Sequence, residues 1–168
     1  MKKIFLTLSI ALFSVASIFA QTKTKIGYVN STELLALMPE RATAEKTLAA
    51  EAEALQKQLQ AMSAEYQTKI SDFQANQETM SDLMKETKVK EISDLEGRIQ
   101  TFQESAQQSL QAKEAELLEP ILTKARDAVK ATADKAGYTH VFDTASGILI
   151  HAPEGDDILP LVKKDLGL

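Results

Sequence analysis

The stretch LAAEAEALQKQLQAMSAEYQTKISDF, Leu48 to Phe73, decides how most of this chain folds. Its apolar positions are Leu48, Ala52, Leu55, Leu59, Met62, Tyr66, Ile70 and Phe73, spaced 4, 3, 4, 3, 4, 4, 3. Mostly alternating threes and fours put these side chains on one narrow stripe of a helix, the pattern of a coiled-coil seam. A second run, Ile92, Leu95, Ile99, Phe102, Ala106 and Leu110, is spaced 3, 4, 3, 4, 4. Each run has one extra step of four, which would locally unwind a supercoil. A stripe this narrow covers a partner helix and leaves the other faces wet.

The helical reading extends outward from both runs. Between Glu40 and Ala136, 97 residues, there is one glycine (Gly97) and one proline (Pro120). Ala, Glu, Lys, Gln and Leu dominate there, and all favour helix. A single straight helix of that length would measure roughly 145 Å, whereas folding back once gives two arms of about 70 Å that serve as each other's seam partner. The polar, irregular stretch NQETMSDLMKETKVKE, Asn76 to Glu91, straddles the midpoint and is the candidate tip. It has no Gly or Pro to set the turn, so the hairpin is favoured over a straight rod only weakly. Pro120, in ELLEPILTK, should kink the second arm by removing one backbone hydrogen bond.

The two ends read differently. KIGYVN, Lys25 to Asn30, has the β-favouring residues Ile26, Tyr28 and Val29. It runs into a short helix that Asn30 or Ser31 can cap, with Glu33 as the capping-box partner, and Pro39 stops that helix. At the far end Gly137 follows ADKA as a left-handed cap. Tyr138 to Asp143 and Ile148 to His151 then read as two strands of a hairpin joined by TASG, and Asp156 and Asp157 cap a last helix, ILPLVKKDL. This β material is too small to bury a stable core alone, and it presents sheet edges that need cover. An oligomer that pairs such sheets would meet both needs.

MKKIFLTLSIALFSVASIFA, with two lysines, a short apolar run and Ala20 before Gln21, has the form of a cleavable secretory signal peptide. The expected organisation is thus residues 1–20 as signal, 21–39 and 137–168 as a β body, and 40–136 as helical arms with a tip near 76–91. From Gln21 onward the 24 acidic residues outnumber 17 Lys and Arg (19 less Lys2 and Lys3), a formal charge of −7. That balance argues against nucleic acid as a partner. With zero cysteines there is no disulfide framework and no thiolate metal site.

No phosphate loop, nucleophile motif or metal-ligand spacing is present, so neither an enzyme nor a cofactor is expected. If TASG closes the hairpin with Asp143 opposite Ile148, His140 faces His151; a bulge at Gly147 would break that pairing. The simpler reading makes both histidines polar strand residues near a sheet edge. The many carboxylates sit at helix-surface spacings, and Asp143 reads as a turn and capping residue. Near the tip, Met80, Leu83 and Met84, with Val89 and Ile92, present flexible apolar side chains. These either pack the turn or meet an apolar partner, a use to which methionine is well suited.

Taken together, KIGYVNSTELL, the charged arms, GYTHVFDTASGILI and DDILPLVKK resemble the Skp (OmpH-like) family of periplasmic chaperones over essentially the whole chain after the signal. The resemblance implies a mostly α, α+β fold in which a helical hairpin hangs from a small β body that assembles as a trimer. It implies that Ile26, Tyr28, Val29, Tyr138, Val141, Phe142, Ile148 and Ile150 carry trimerisation. It further implies that unfolded outer-membrane β-barrel proteins are held, without ATP, in a cavity between the arms. Phe73, Met80, Leu83, Met84, Ile92 and Phe102 are the candidate client contacts. Members of the family can be strongly basic. Here residues 76–100 carry Lys85, Lys88, Lys90 and Arg98 against Glu78, Asp82, Glu86, Glu91, Asp94 and Glu96, so attraction to anionic membrane or lipopolysaccharide is not expected. The alternative is an exported coiled-coil scaffold that binds folded envelope partners.

Overall fold

The computed structural model describes residues 24–168, so the signal-peptide reading of residues 1–20 lies outside the described residues. The chain divides into two compact units, one spanning Leu35–Lys124 and the other joining the chain before Leu35 to Ala125–Leu168. Among the described residues no helix is long and apolar enough to cross a membrane.

The elements in chain order are β1 (Ile26–Val29), α1 (Ser31–Leu37), α2 (Pro39–Asn76), α3 (Asp82–Ala136), β2 (His140–Asp143) and α4 (Leu159–Leu166). Two short 3-10 turns, Thr144–Ser146 and Glu154–Asp156, lie between β2 and α4. Asn30 caps α1 by accepting the Glu33 N–H at 3.1 Å. Pro39 both ends α1 and opens α2, since its missing N–H costs nothing in a first helical turn.

In the Leu35–Lys124 unit, α2 and the first part of α3 run antiparallel. Glu40 near the start of α2 pairs with Lys124, and Lys69 near its end pairs with Glu91. The side chains from Leu48 to Phe73 named above are all half-buried. Those of the second run are half-buried too, apart from Leu95, which is fully covered. The turn joining the helices is made without Gly or Pro. Gln77 N–H donates to Phe73 O at 2.9 Å, Thr79 donates from both N–H and Oγ1 to Asn76 O, and Asn76 Nδ2 donates to Asp72 O. Ser81 opens α3: its Oγ accepts the Met84 N–H and its carbonyl accepts the Lys85 N–H. Polar side chains thus satisfy the backbone groups that a helix end leaves open. α3 is continuous through Pro120, which leaves the Glu116 carbonyl without its helical donor.

In the other unit β1 and β2 pair in parallel, with Ile26 opposite His140, Gly27 opposite Val141, Tyr28 opposite Phe142 and Val29 opposite Asp143. On the other edge of β1, Tyr28 bridges Asp157 in parallel and its carbonyl accepts the Ile158 N–H at 2.9 Å. The expected second strand of the hairpin, Ile148 to His151, does not form, and with it goes the pairing of His140 with His151. Ile148 and Ile150 stand 82% and 98% exposed. The cause lies in Asp143, whose carboxylate accepts the Ala145 N–H at 2.9 Å and turns the chain into a 3-10 helix rather than back along β2. A β-favouring sequence with nothing to pack on has little reason to extend. The third position of the sheet is taken instead by Asp157.

The buried side chains of this unit are Val29, Leu34, Ala125, Thr132, Ala133, Ile158, Leu159 and Val162. Ile158 and Val162 are wholly enclosed, so the short C-terminal helix supplies much of this core. Asp165 pins it to α3 by accepting from Thr132 Oγ1 and Lys135 Nζ, both at 3.0 Å. α3 itself ends in a paired cap: Gly137, at φ +74°, donates to Asp134 O while Tyr138 N–H reaches Ala133 O.

Candidate functional site

Two surfaces gather the residues singled out from the sequence. The first is the turn end of the helical unit. Leu83 and Met84 are 74% and 52% exposed and Val89 is also exposed, while Met80 is half-buried in the turn. At 100° per residue these three exposed side chains of α3 point in three well-separated directions around it. The end of the unit is therefore apolar on several sides, not along a single stripe. Phe73, Ile92 and Phe102 are placed differently. All three lie half-buried on the shared stripe between α2 and α3.

Charges brace this end. Glu91 accepts from Lys88 at 3.2 Å and from Lys69 on the opposite helix at 3.3 Å. Those hydrogen bonds, Lys88 first, hold its carboxyl below the usual carboxylate range. At the other end of the same unit the hydrogen bond from Lys124 does the same for Glu40. Midway along, a groove of about 810 Å³ opens where α3 presents Ser93, Gly97, Thr101 and Ser105 in successive turns beside Met62 and Phe102.

The second surface is the sheet of the terminal unit. Ile26 and Phe142 are about half exposed, and Ile148 and Ile150 almost wholly so. Tyr28, Tyr138 and Val141 are half-buried, and Val29 is a core residue of its own unit. Burial, then the carboxylates of Asp157, Glu154 and Asp156, push the Tyr28 phenol up from its ordinary value.

Several residues that hold this surface are not evident from strand patterning. Gly27 is one: a Cβ there would lie 2.9 Å from the Tyr138 ring and 3.0 Å from Ile158 Cγ2. A glycine inside a strand pattern is the available signal for such close approach. Asp143 is another. It accepts from Ser31 N–H at 3.1 Å and Ser31 Oγ at 2.6 Å, tying the end of β2 to the start of α1. Burial pushes its carboxyl up, but the hydrogen bonds from Ser31 and Ala145 outweigh this and hold it below the usual range. Lys25 lies 3.9 Å from the Tyr138 ring centroid and donates to the Ala136 carbonyl at 2.9 Å, closing the C-terminus of α3.

His140 sits opposite Ile26 in the ladder, its Nδ1 3.0 Å from Thr139 Oγ1. Among the described residues no group of three or more His, Asp or Glu is arranged to hold a metal ion. What both surfaces offer is apolar area flanked by charge, suited to binding another chain.

Known proteins share this arrangement of sequence. The family model described as "Outer membrane protein (OmpH-like)" matches residues 25–166. The Chaperone protein Skp of Yersinia enterocolitica is 32% identical over 169 residues, covering 97% of this chain and 100% of its own. That of Vibrio cholerae serotype O1 is 29% identical over 127 residues, 76% of this chain and 75% of its own. That of Photorhabdus laumondii is 28% identical over 166 residues, 99% of each. The matched span runs from β1 to the last residue of α4, and on that ground the chain belongs to the OmpH-like family.

Proposed function

We propose that this chain is an ATP-independent periplasmic chaperone that holds unfolded outer-membrane β-barrel proteins, assembled as a trimer through its terminal units. The observation that carries the reading is the several-sided apolar end of the helical unit, Leu83, Met84 and Val89, exposed on a chain otherwise rich in charge. An unfolded barrel protein exposes alternating apolar residues and unpaired backbone, which drive it to aggregate. Exposed apolar side chains pointing several ways can meet such a client at many places. Each contact is weak, so the client leaves without an energy source. Phe73, Ile92 and Phe102 serve this role by setting the stripe that keeps α2 and α3 together.

Assembly falls on the terminal unit. Ile26, Phe142, Ile148 and Ile150 leave more apolar area open than a lone small sheet should carry. Residues 148–151 fit a segment that takes up its structure against a neighbouring copy. Three such units would gather their helical units around a shared space that encloses the client. The sequence resemblance and the names of the relatives support this reading, and the acidic tip leaves client contact to apolar side chains.

The test is dilution of a denatured β-barrel protein into buffer with and without stoichiometric chaperone, followed by light scattering. Suppressed scattering supports the holdase. Unchanged scattering from a protein that light scattering also weighs as a two-chain rod supports a scaffold instead. Phe142→Asp should reduce the solution mass to one chain and abolish holding.

A further inference from the structure

The sulfur chemistry of this chain is concentrated at one place. It has five methionines and zero cysteines, so thioethers have no thiol to compete with for oxidants. Met1 lies outside the described residues. Met38, at the junction of α1 and α2, is 2% exposed. Met62 lies half-buried on the stripe of α2 beside the groove that Phe102 also lines. Met80 is half-buried in the turn, and Met84, in the first turn of α3, is 52% exposed. Methionine exposure is thus least at Met38, intermediate at Met62 and Met80, and greatest at Met84, among the apolar side chains of the tip.

We infer that Met84 is an oxidation site for hydrogen peroxide, and that its modification switches the tip from apolar to polar. The thioether sulfur gives an electron pair to one peroxide oxygen. The S–O bond forms as the O–O bond breaks, sulfur loses two electrons, and the other oxygen leaves, with the protons, as water. The product is a methionine sulfoxide, which replaces a flexible apolar group by a strongly polar, hydrogen-bond-accepting one. The site is exposed enough for a small oxidant to reach it without unfolding. Met38 is reached only when its unit opens.

The switch rests on the reading that the tip holds unfolded clients; the site itself does not. The test therefore has two readouts on the full exported chain, treated with graded hydrogen peroxide. Peptide mass mapping should show one added oxygen first at Met84, later at Met80 and Met62, and last at Met38. Equal or faster uptake at Met38 or Met62 overturns the site. In the second readout, holding of a denatured β-barrel protein should fall in step with oxidation at Met84. A Met80→Leu/Met84→Leu double variant, compared with its own untreated capacity, should lose none. Loss in both proteins, or in neither, overturns the switch while leaving the holdase reading intact. Failure of the untreated protein to hold client overturns that reading, and the switch with it, but leaves the mass map standing.

Discussion

The two units of this chain are built on opposite terms. The helical unit is long and thinly covered: its stripe residues are mostly half-buried, and its ties are ion pairs such as Lys69–Glu91. The terminal unit is short and closely fitted. It draws β1, β2 and α4 from both ends of the chain around Ile158 and Val162, which are wholly enclosed. Energy per residue follows burial, so the terminal unit should resist small insults poorly and the helical unit should absorb them. The contrast suits the division of labour proposed above, with assembly on the terminal unit and client holding on the helical one.

The contrast is broken most severely at Ile158. Ile158→Ala removes a fully buried side chain and should cost about 2–5 kcal/mol in denaturant unfolding, unless the site collapses to fill the space. Gly27→Ala comes next. Its Cβ would press on the Tyr138 ring and Ile158, so a loss of about 1–3 kcal/mol is expected, against no change if the ring simply moves aside.

Asp143→Ala removes an acceptor shared by α1 and the 3-10 turn, and should cost about 1 kcal/mol, the worth of a helix cap. Its pH dependence has a definite sign. The folded pKa lies below the ordinary carboxylate value, so its stabilisation is present above that value and fades as pH falls through the folded one. An acid titration of thermal unfolding should show this limb in the wild type and a smaller one in the variant. At the bottom of the scale, Glu91→Gln in the helical unit removes two solvent-accessible ion pairs and should barely move the melting temperature. A loss there as large as that at Gly27 would dissolve the contrast.

The helical unit was the more legible of the two in the sequence. The step pattern from Leu48 to Phe73 depends on neighbours three and four residues away, so it can be read locally, and those positions are the covered ones. The turn could be placed only within 76–91, because Asn76, Thr79 and Ser81 close it with side chains that are common in other settings too. The terminal unit depends on partners more than 100 residues apart, such as Ser31 with Asp143. No periodicity reveals that β1 would lie in parallel beside β2, or that Asp157 and not Ile148 to His151 would flank β1's other edge. The candidate site divided in the same way. Leu83 and Met84 are exposed at the tip, while Phe73, Ile92 and Phe102 are half-buried on the stripe that their spacing had already marked.

The division of labour meets its most direct test in one experiment, light scattering of a denatured β-barrel protein diluted into a triple variant, Leu83→Ser, Met84→Ser and Val89→Ser. These three side chains are exposed, so the variant should keep the solution mass and melting temperature of the wild type. The expected result is that it no longer suppresses client aggregation. Suppression equal to that of the wild type would contradict the assignment of client holding to the tip of the helical unit.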